Sequence, residues 1–212
     1  MIKETTDMCS NPVVKHGKHK KRSESKVLLL LIMLELEGPI GRYRLKEMLD
    51  LSEQEGLVRL MLADLKRESL AKTSKAGCEL TRKGKRFLKE TLKKHGIVEI
   101  KEIFLELLGK GSESFTFQCR GSSMPASITD LRDVAVRYGS SGAILILYDQ
   151  GILKVPEVYT DLRDKHQGIA NNICKALNLS DGDIILTTFS GNKWRALEGG
   201  LSMAIRLAEG LH

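Results

Sequence analysis

The chain has 212 residues, of which 42% are hydrophobic and 29% are charged, ordinary proportions for a globular protein that buries a core. Its net charge of +7 is unevenly divided: residues 1–95 hold 22 Lys and Arg against 13 Asp and Glu, whereas residues 96–212 hold 12 against 14. Four scattered cysteines with no CxxC pair argue against a structural zinc site and a disulfide framework, so reduced cytoplasmic thiols are expected.

The N-terminal region is predicted to be an arm followed by a buried helix. Residues 1–24 are polar and basic, which favours a disordered arm that either contacts nucleic acid or is simply solvated. Ser23 or Ser25 can cap a first helix that runs to about Glu37. The apolar run at 27–34 is too short to cross a bilayer, and no cleavage site follows it. A cytoplasmic protein without membrane association is therefore expected.

Two further helices are predicted next. The second runs from Arg42 to about Asp50 after a Gly-Pro stop. Ser52 is a suitable N-cap for the third, and Glu55 would complete a capping box before a helix that ends near Glu68. The apolar residues expected to face the core are Leu45, Met48, Leu49, Val58, Met61, Leu62 and Leu65.

The periodicity then changes from about 3.6 to about 2. Leu70–Thr73 and Cys78–Leu80 are predicted to form a hairpin, in which Gly77 supplies a positive φ at the turn. Thr81 is expected to cap a fourth helix that extends to about Lys94.

This order of elements resembles winged helix-turn-helix regulators, and particular segments carry the resemblance. They are Gly41–Leu49, Leu51-Ser52, Val58–Lys66 and Cys78–Leu88, the last of which matches the family's "wing strand, LTxxG, helix" ending. Ser69 departs from the pattern, because many relatives carry Gly there. The resemblance covers residues 26–94 and implies a winged helix domain at 25–95 whose third helix lies in the DNA major groove.

Residues 96–114 are predicted to connect the two halves. Apolar residues recur there at helical spacing, although a strand at 97–100 is an alternative. The glycines at 109 and 111 mark a probable boundary, so a second domain is expected at 115–212.

The second half predicts an α+β domain with the element order βαββαβα. Hairpin-linked strands with helices on one face suggest a two-layer α/β sandwich with a mostly antiparallel sheet. The strands are expected near 115–119, 143–148, 152–155 and 184–189, and the helices near 129–138, 161–177 and 192–209.

Part of this half resembles the GAD domain of bacterial aspartyl-tRNA synthetases and related tRNA amidotransferase subunits. The matching segments are Leu179–Leu186, Gly199–Leu207 and the helix–glycine–strand entry Ala135–Ala143. The likeness spans about residues 128–208 and implies a GAD-like fold. A winged helix followed by such a domain resembles an uncharacterised group of archaeal two-domain proteins regarded as transcriptional regulators.

Duplex DNA binding by the basic half is the leading functional hypothesis, because cations bind phosphates and polar side chains bind base edges. Glu53 and Glu55 oppose it at the start of the third helix, and most surface cations are merely solvated. The candidate nucleic-acid-binding residues are Arg42, Arg44, Gln54, Arg59, Lys66, Arg67, Lys72, Lys75, Arg82, Lys83, Arg86 and Lys89. Arg82, Arg86, Lys89 and Lys93 form one helical stripe.

We therefore expect a transcriptional regulator whose second domain dimerises, senses a small effector, or both. The alternative is an RNA- or tRNA-binding, translation-associated protein that uses the GAD-like domain, and a purely protein-binding winged helix is also conceivable. No enzyme, cofactor or metal site is expected, because the histidines form no catalytic pattern. Asp181-Gly182-Asp183 lacks calcium-loop spacing and is interpreted as a turn.

Overall fold

The structure is a computed structural model, and it describes residues 19–51, 54–103 and 113–210. The chain divides into two compact units, of which the first ends at Lys85 and the second begins at Arg86. This division falls inside helix α4 (Arg82–Lys94), so the basic residues of α4 are shared between the units.

The first unit begins with three helices, α1 (His19–Glu37), α2 (Arg42–Met48) and α3 (Glu55–Arg67). Every residue from 28 to 34 in α1 is buried, which requires neighbours around the whole circumference of the helix. The buried helix predicted from the apolar run is confirmed. The inward residues expected from α2 and α3 are also buried, with Leu62 half-buried.

The start of α1 differs from the prediction. The helix begins at His19, so the last residues of the expected disordered arm at 1–24 are helical. Lys and Arg are good helix formers, and the run of them at 20–22 extends α1 toward its N-terminus before either serine. The rest of the expected arm, residues 1–18, lies outside the described residues.

The start of α3 also differs. Gln54 occupies the N-cap position and makes no side-chain cap hydrogen bond, so the helix begins two residues later than the predicted cap at Ser52 implies. The side chains of Ser52 and Glu55, on which the expected capping box depends, lie outside the described residues. The Gln54 amide donates to the Leu51 carbonyl at 2.9 Å, and the helix begins at Glu55. Residues 52 and 53 are outside the described part of the chain.

The hairpin consists of β1 (Ala71–Ser74) and β2 (Gly77–Leu80), which pair in antiparallel register. Gly77 has a φ of +136°, as its position in the turn predicts, and a Cβ there would lie 2.5 Å from the carbonyl carbon of Ile40. Ile40 and Cys78 exchange two backbone hydrogen bonds, of 2.9 and 2.8 Å. The link between α1 and α2 therefore adds a one-residue third strand to the hairpin.

The LTxxG spacing is explained by the junction between α3 and α4. The Thr81 hydroxyl donates to the Ser69 carbonyl at 2.7 Å and accepts from the Gly84 amide at 3.0 Å, which confirms the predicted cap. A Cβ at Gly84 would overlap the carbonyl oxygen of Leu70. Threonine is thus needed for the cap and glycine for the close approach of the chain.

The second unit is built on a five-stranded sheet of order β3-β4-β7-β5-β6, in which all neighbours are antiparallel. This confirms the α+β class and the antiparallel sheet. The strands are β3 (Ile97–Glu102), β4 (Glu113–Cys119), β5 (Gly142–Asp149), β6 (Ile152–Lys154) and β7 (Ile184–Ser190).

The segment from 96 to 114 is not simply a connector. Its first part is the edge strand β3, so the helix suggested by the apolar spacing is wrong there and the strand alternative is right. An edge strand pairs on one side only and tolerates the exposed carboxylates that produced a helix-like spacing. Residues 104–112 lie outside the described residues.

Helices cover both faces of this sheet. They are α5 (Ile128–Arg137), α6 (Arg163–Ala176) and α7 (Lys193–Ala208). α7 lies on one face, where the Thr188 hydroxyl donates to the Ala196 carbonyl at 2.7 Å, and α5 packs against α7. On the other face, Ile173 of α6 shares a core with Ile146 and Ile185.

The two-layer arrangement with helices on one face is therefore wrong. Ile185 and Thr188 are separated by an odd number of residues, so their side chains point to opposite faces. β7 is buried at nearly every position because helices cover both of its faces. A strand with alternating apolar and polar residues would instead be expected to have one face buried. None of the described helices has the length and apolar content needed to span a membrane.

Candidate nucleic-acid interface

The basic face of α4 consists of Arg82, Arg86, Lys89 and Lys93, which recur at spacings of four, three and four residues. All four side chains are exposed, and none makes an ion pair with a residue that the structure describes. The Thr81 cap and the glycine at 84 fix where this helix begins. The face therefore presents four full positive charges along about three turns.

The hairpin contributes a weaker positive group. Lys72 pairs across the strands with Glu79, with 3.2 Å between the ammonium and the carboxylate. Lys75 lies exposed at the turn and has no ion-pair partner within the described ranges. The tip of the hairpin is thus more available to an anion than its stem.

The cations near the end of α3 have mixed surroundings. Arg67 pairs with Asp64 at 2.8 Å and approaches Glu68 at 3.8 Å. Lys83 donates to the Glu68 carbonyl at 2.7 Å, and its positive charge offsets the partial negative charge at the C-terminus of α3. Arg59 and Lys66 are exposed on α3, and Lys66 forms no ion pair among the described residues.

The two arginines of α2 are held by local contacts. The Arg42 guanidinium lies over the Tyr43 ring, 4.9 Å from its centroid, and donates to the Tyr43 hydroxyl. Arg44 pairs with Glu37 of α1 at 2.5 Å. Both residues therefore stabilise local structure in the unbound protein.

The first turn of α3 contains the polar candidate for base contact. Gln54 is exposed and its side chain is not used for capping. Glu55 starts the helix, but its side chain lies outside the described part, as does Glu53. Gln54 is thus in a position to contact another molecule.

Sequence reasoning missed the apolar outer surface of α3. Leu57 and Leu60 are 37% and 64% exposed, and Tyr43 on α2 is also 64% exposed. The sequence contained the information needed to predict this exposure, because neither Leu57 nor Leu60 falls on the helical spacing of the core residues Val58, Met61 and Leu65.

The main charge cluster of the second unit surrounds a buried carboxylate, whose partner Arg120 is partly exposed. Asp183 is fully buried and accepts hydrogen bonds from Arg120 at 2.7 and 2.8 Å, from Gln118 at 2.6 Å and from the Ser180 amide at 2.8 Å. Burial opposes its ionisation, but these donors outweigh that effect and hold the pKa of Asp183 below its ordinary value. The cluster ties β4 to the turn before β7.

Other polar candidates in this unit have structural surroundings. Gly182 has a φ of +84° and the Gln150 amide donates to Asp181 at 2.9 Å, so the predicted turn at 181–183 is confirmed. Burial, followed by the charge of Asp183, raises the pKa of Cys119 to about 12, so its thiol stays protonated at neutral pH.

Comparisons with known proteins agree with a mixed α+β fold. Residues 111–207 match a family model described as a domain of unknown function, DUF4443. The structure of hypothetical protein PH0730 from Pyrococcus horikoshii OT3 is similar over 87% of this chain and 92% of its own length. Its TM-score is 0.68 and its sequence identity is 23%.

No curated protein matches. The structural similarity shows that the same fold occurs in an archaeal protein, which confirms that part of the expected resemblance.

Proposed function

We propose that helices α1 to α4 and the β1–β2 hairpin form a winged helix that binds duplex nucleic acid, with DNA as the target, in a transcriptional regulator. In this proposal the second unit is GAD-like and serves dimerisation, effector sensing or both. The order of α1, α2, α3, β1, β2 and α4, with Ile40 as a third strand, supports the winged helix assignment.

The basic face of α4 is the observation that carries the proposal. Its four cations lie exposed without ion pairs among the described residues, so phosphate binding would not require breaking an existing pair. Proteins bind DNA largely through such cations, with release of counterions.

Several of the other candidate cations already have carboxylate partners, so few polar side chains remain for contacts with base edges, and phosphate contacts are expected to dominate. Arg44, Arg67 and Lys72 each have a carboxylate partner, and Gln54 is the exposed polar candidate for a base edge. Affinity is then expected to depend strongly on salt and weakly on sequence.

The test is the salt dependence of binding to a labelled 30-bp mixed-sequence duplex, measured by fluorescence anisotropy. The triple variant Arg82→Ala, Arg86→Ala, Lys89→Ala should bind more weakly, and its slope of log affinity against log salt should be shallower by about 0.9 for each phosphate contact removed. Its stability should change little, because exposed charges contribute little to folding.

A control with the same change in net charge uses exposed cations of α5 and α6, Arg132→Ala, Arg137→Ala, Lys175→Ala. It should retain the wild-type slope. Equal losses in both variants would mean that only net charge matters and would contradict the assignment to α4. Bulk tRNA is the competitor, and a clear preference for tRNA would favour the RNA-binding alternative instead.

A further inference from the structure

The outward face of α3 is apolar. Gly56, Leu60, Ala63 and Arg67 recur at spacings of four, three and four residues and so lie on one side of the helix. The first three are exposed, and Leu60 has 64% of its surface in solvent. Val58 and Leu65, on the opposite side, are buried in the core.

This face offers no free group for hydrogen bonds to base edges. Gly, Leu and Ala side chains have no donors or acceptors, and Arg67 in the same row is held by Asp64 at 2.8 Å. In the DNA major groove the C5-methyl of thymine is the apolar group that a base presents. The small residues on either side of Leu60 would allow the helix to approach a groove closely.

The surroundings of the face fit a nucleic acid better than a protein. Arg59 and Lys66 are exposed along one border of the apolar row, where they complement phosphates. On the other border the Asp64 carboxylate is paired with Arg67. Lys is also depleted in protein–protein interfaces. Leu57 and Leu60 alone also provide far less than the roughly 800 Å² per partner that a stable protein interface buries.

We infer that Leu60 contacts thymine C5-methyl groups in the major groove, so that the protein prefers duplexes rich in these methyls. The inference rests on the proposed DNA binding and adds the chemical feature that α3 recognises. Leu60 is then a specificity residue, while the cations supply affinity.

The experiment compares a 30-bp alternating A·T duplex with the same duplex in which deoxyuridine replaces every thymidine. The hydrogen-bonding edges are identical, and only the methyl groups are absent. The full-length protein should bind the thymine duplex more tightly, by about fourfold for each methyl contacted. Leu60→Ala should remove this preference. Val158→Ala should not, although Val158 is equally exposed at 64% in the second unit.

The outcomes separate this inference from the proposed function. Equal affinity of the wild type for the two duplexes would overturn the methyl contact and leave DNA binding intact. Binding to neither duplex would overturn both. A change of oligomeric state in Leu60→Ala, measured by sedimentation, would show instead that this face of α3 binds protein.

Discussion

Arginine is used in different ways by the sheet of the second unit and by helix α4, which the division between the units crosses. In the second unit, Arg120 donates to both carboxylate oxygens of the buried Asp183 and to the Asn178 carbonyl. Its guanidinium therefore has a structural role. On α4, Arg82 and Arg86 are exposed and form no ion pair with any residue that the structure describes. The net charge of each half therefore says less about binding than the partners of each cation do.

The largest expected effect comes from breaking the buried charge cluster. Asp183→Asn should lower the free energy of unfolding by about 3 kcal/mol at pH 7, because it removes the partner of a guanidinium and of several buried donors. Urea unfolding would measure the loss. Asp133→Asn, an exposed carboxylate on α5, should have little effect.

Asp183→Asn should also change how the free energy of unfolding depends on pH. The pKa of Asp183 is lower in the folded state than in the unfolded chain, so its contribution is present above its ordinary value near 4 and is lost as acid protonates the folded form. Wild type should therefore lose more stability below about pH 4 than Asp183→Asn does. Parallel pH curves for the two proteins would contradict this role of the cluster.

An intermediate effect is expected in the first unit, where no charge is involved. Gly84→Ala should destabilise by about 2 kcal/mol, because the new Cβ would meet the backbone carbonyl of Leu70 and push α4 away from the end of α3. Gly56→Ala is the matched control on α3, where a Cβ has open space. It should stabilise by about 0.5 kcal/mol, since Ala is the better helix former. Destabilisation by Gly56→Ala as large as that by Gly84→Ala would refute the steric explanation.

The smallest effect concerns the junction before the hairpin. Ser69 has a φ of +57°, the left-handed conformation that favours glycine. Ser69→Gly should raise the free energy of unfolding by about 0.5 kcal/mol, with relief of backbone strain exceeding the entropy that glycine adds to the unfolded chain. Ser69→Ala retains the Cβ and should bring no gain; thermal unfolding distinguishes the two.

Local patterns in the sequence predicted most elements and some of their details. The turn at Gly77, the Thr81 cap and the buried α1 follow from short-range rules of backbone conformation and hydrophobicity. The predicted start of α3 was wrong because Gln54, a poor capping residue by type, occupies the N-cap position, and residue type alone does not fix where a helix begins. The residues 97–102 were ambiguous because an edge strand and an amphipathic helix both tolerate interspersed charges.

The sequence by itself determined the division into a basic and a near-neutral half, most of the helices and strands, and the positions of the cations along the chain, because these depend on composition and on neighbours along the chain. Tertiary structure alone decided which cations have partners and that α6 covers the second face of the sheet. These features depend on contacts between residues far apart in the chain, and hydrophobic periodicity specifies which residues are apolar without specifying what covers them.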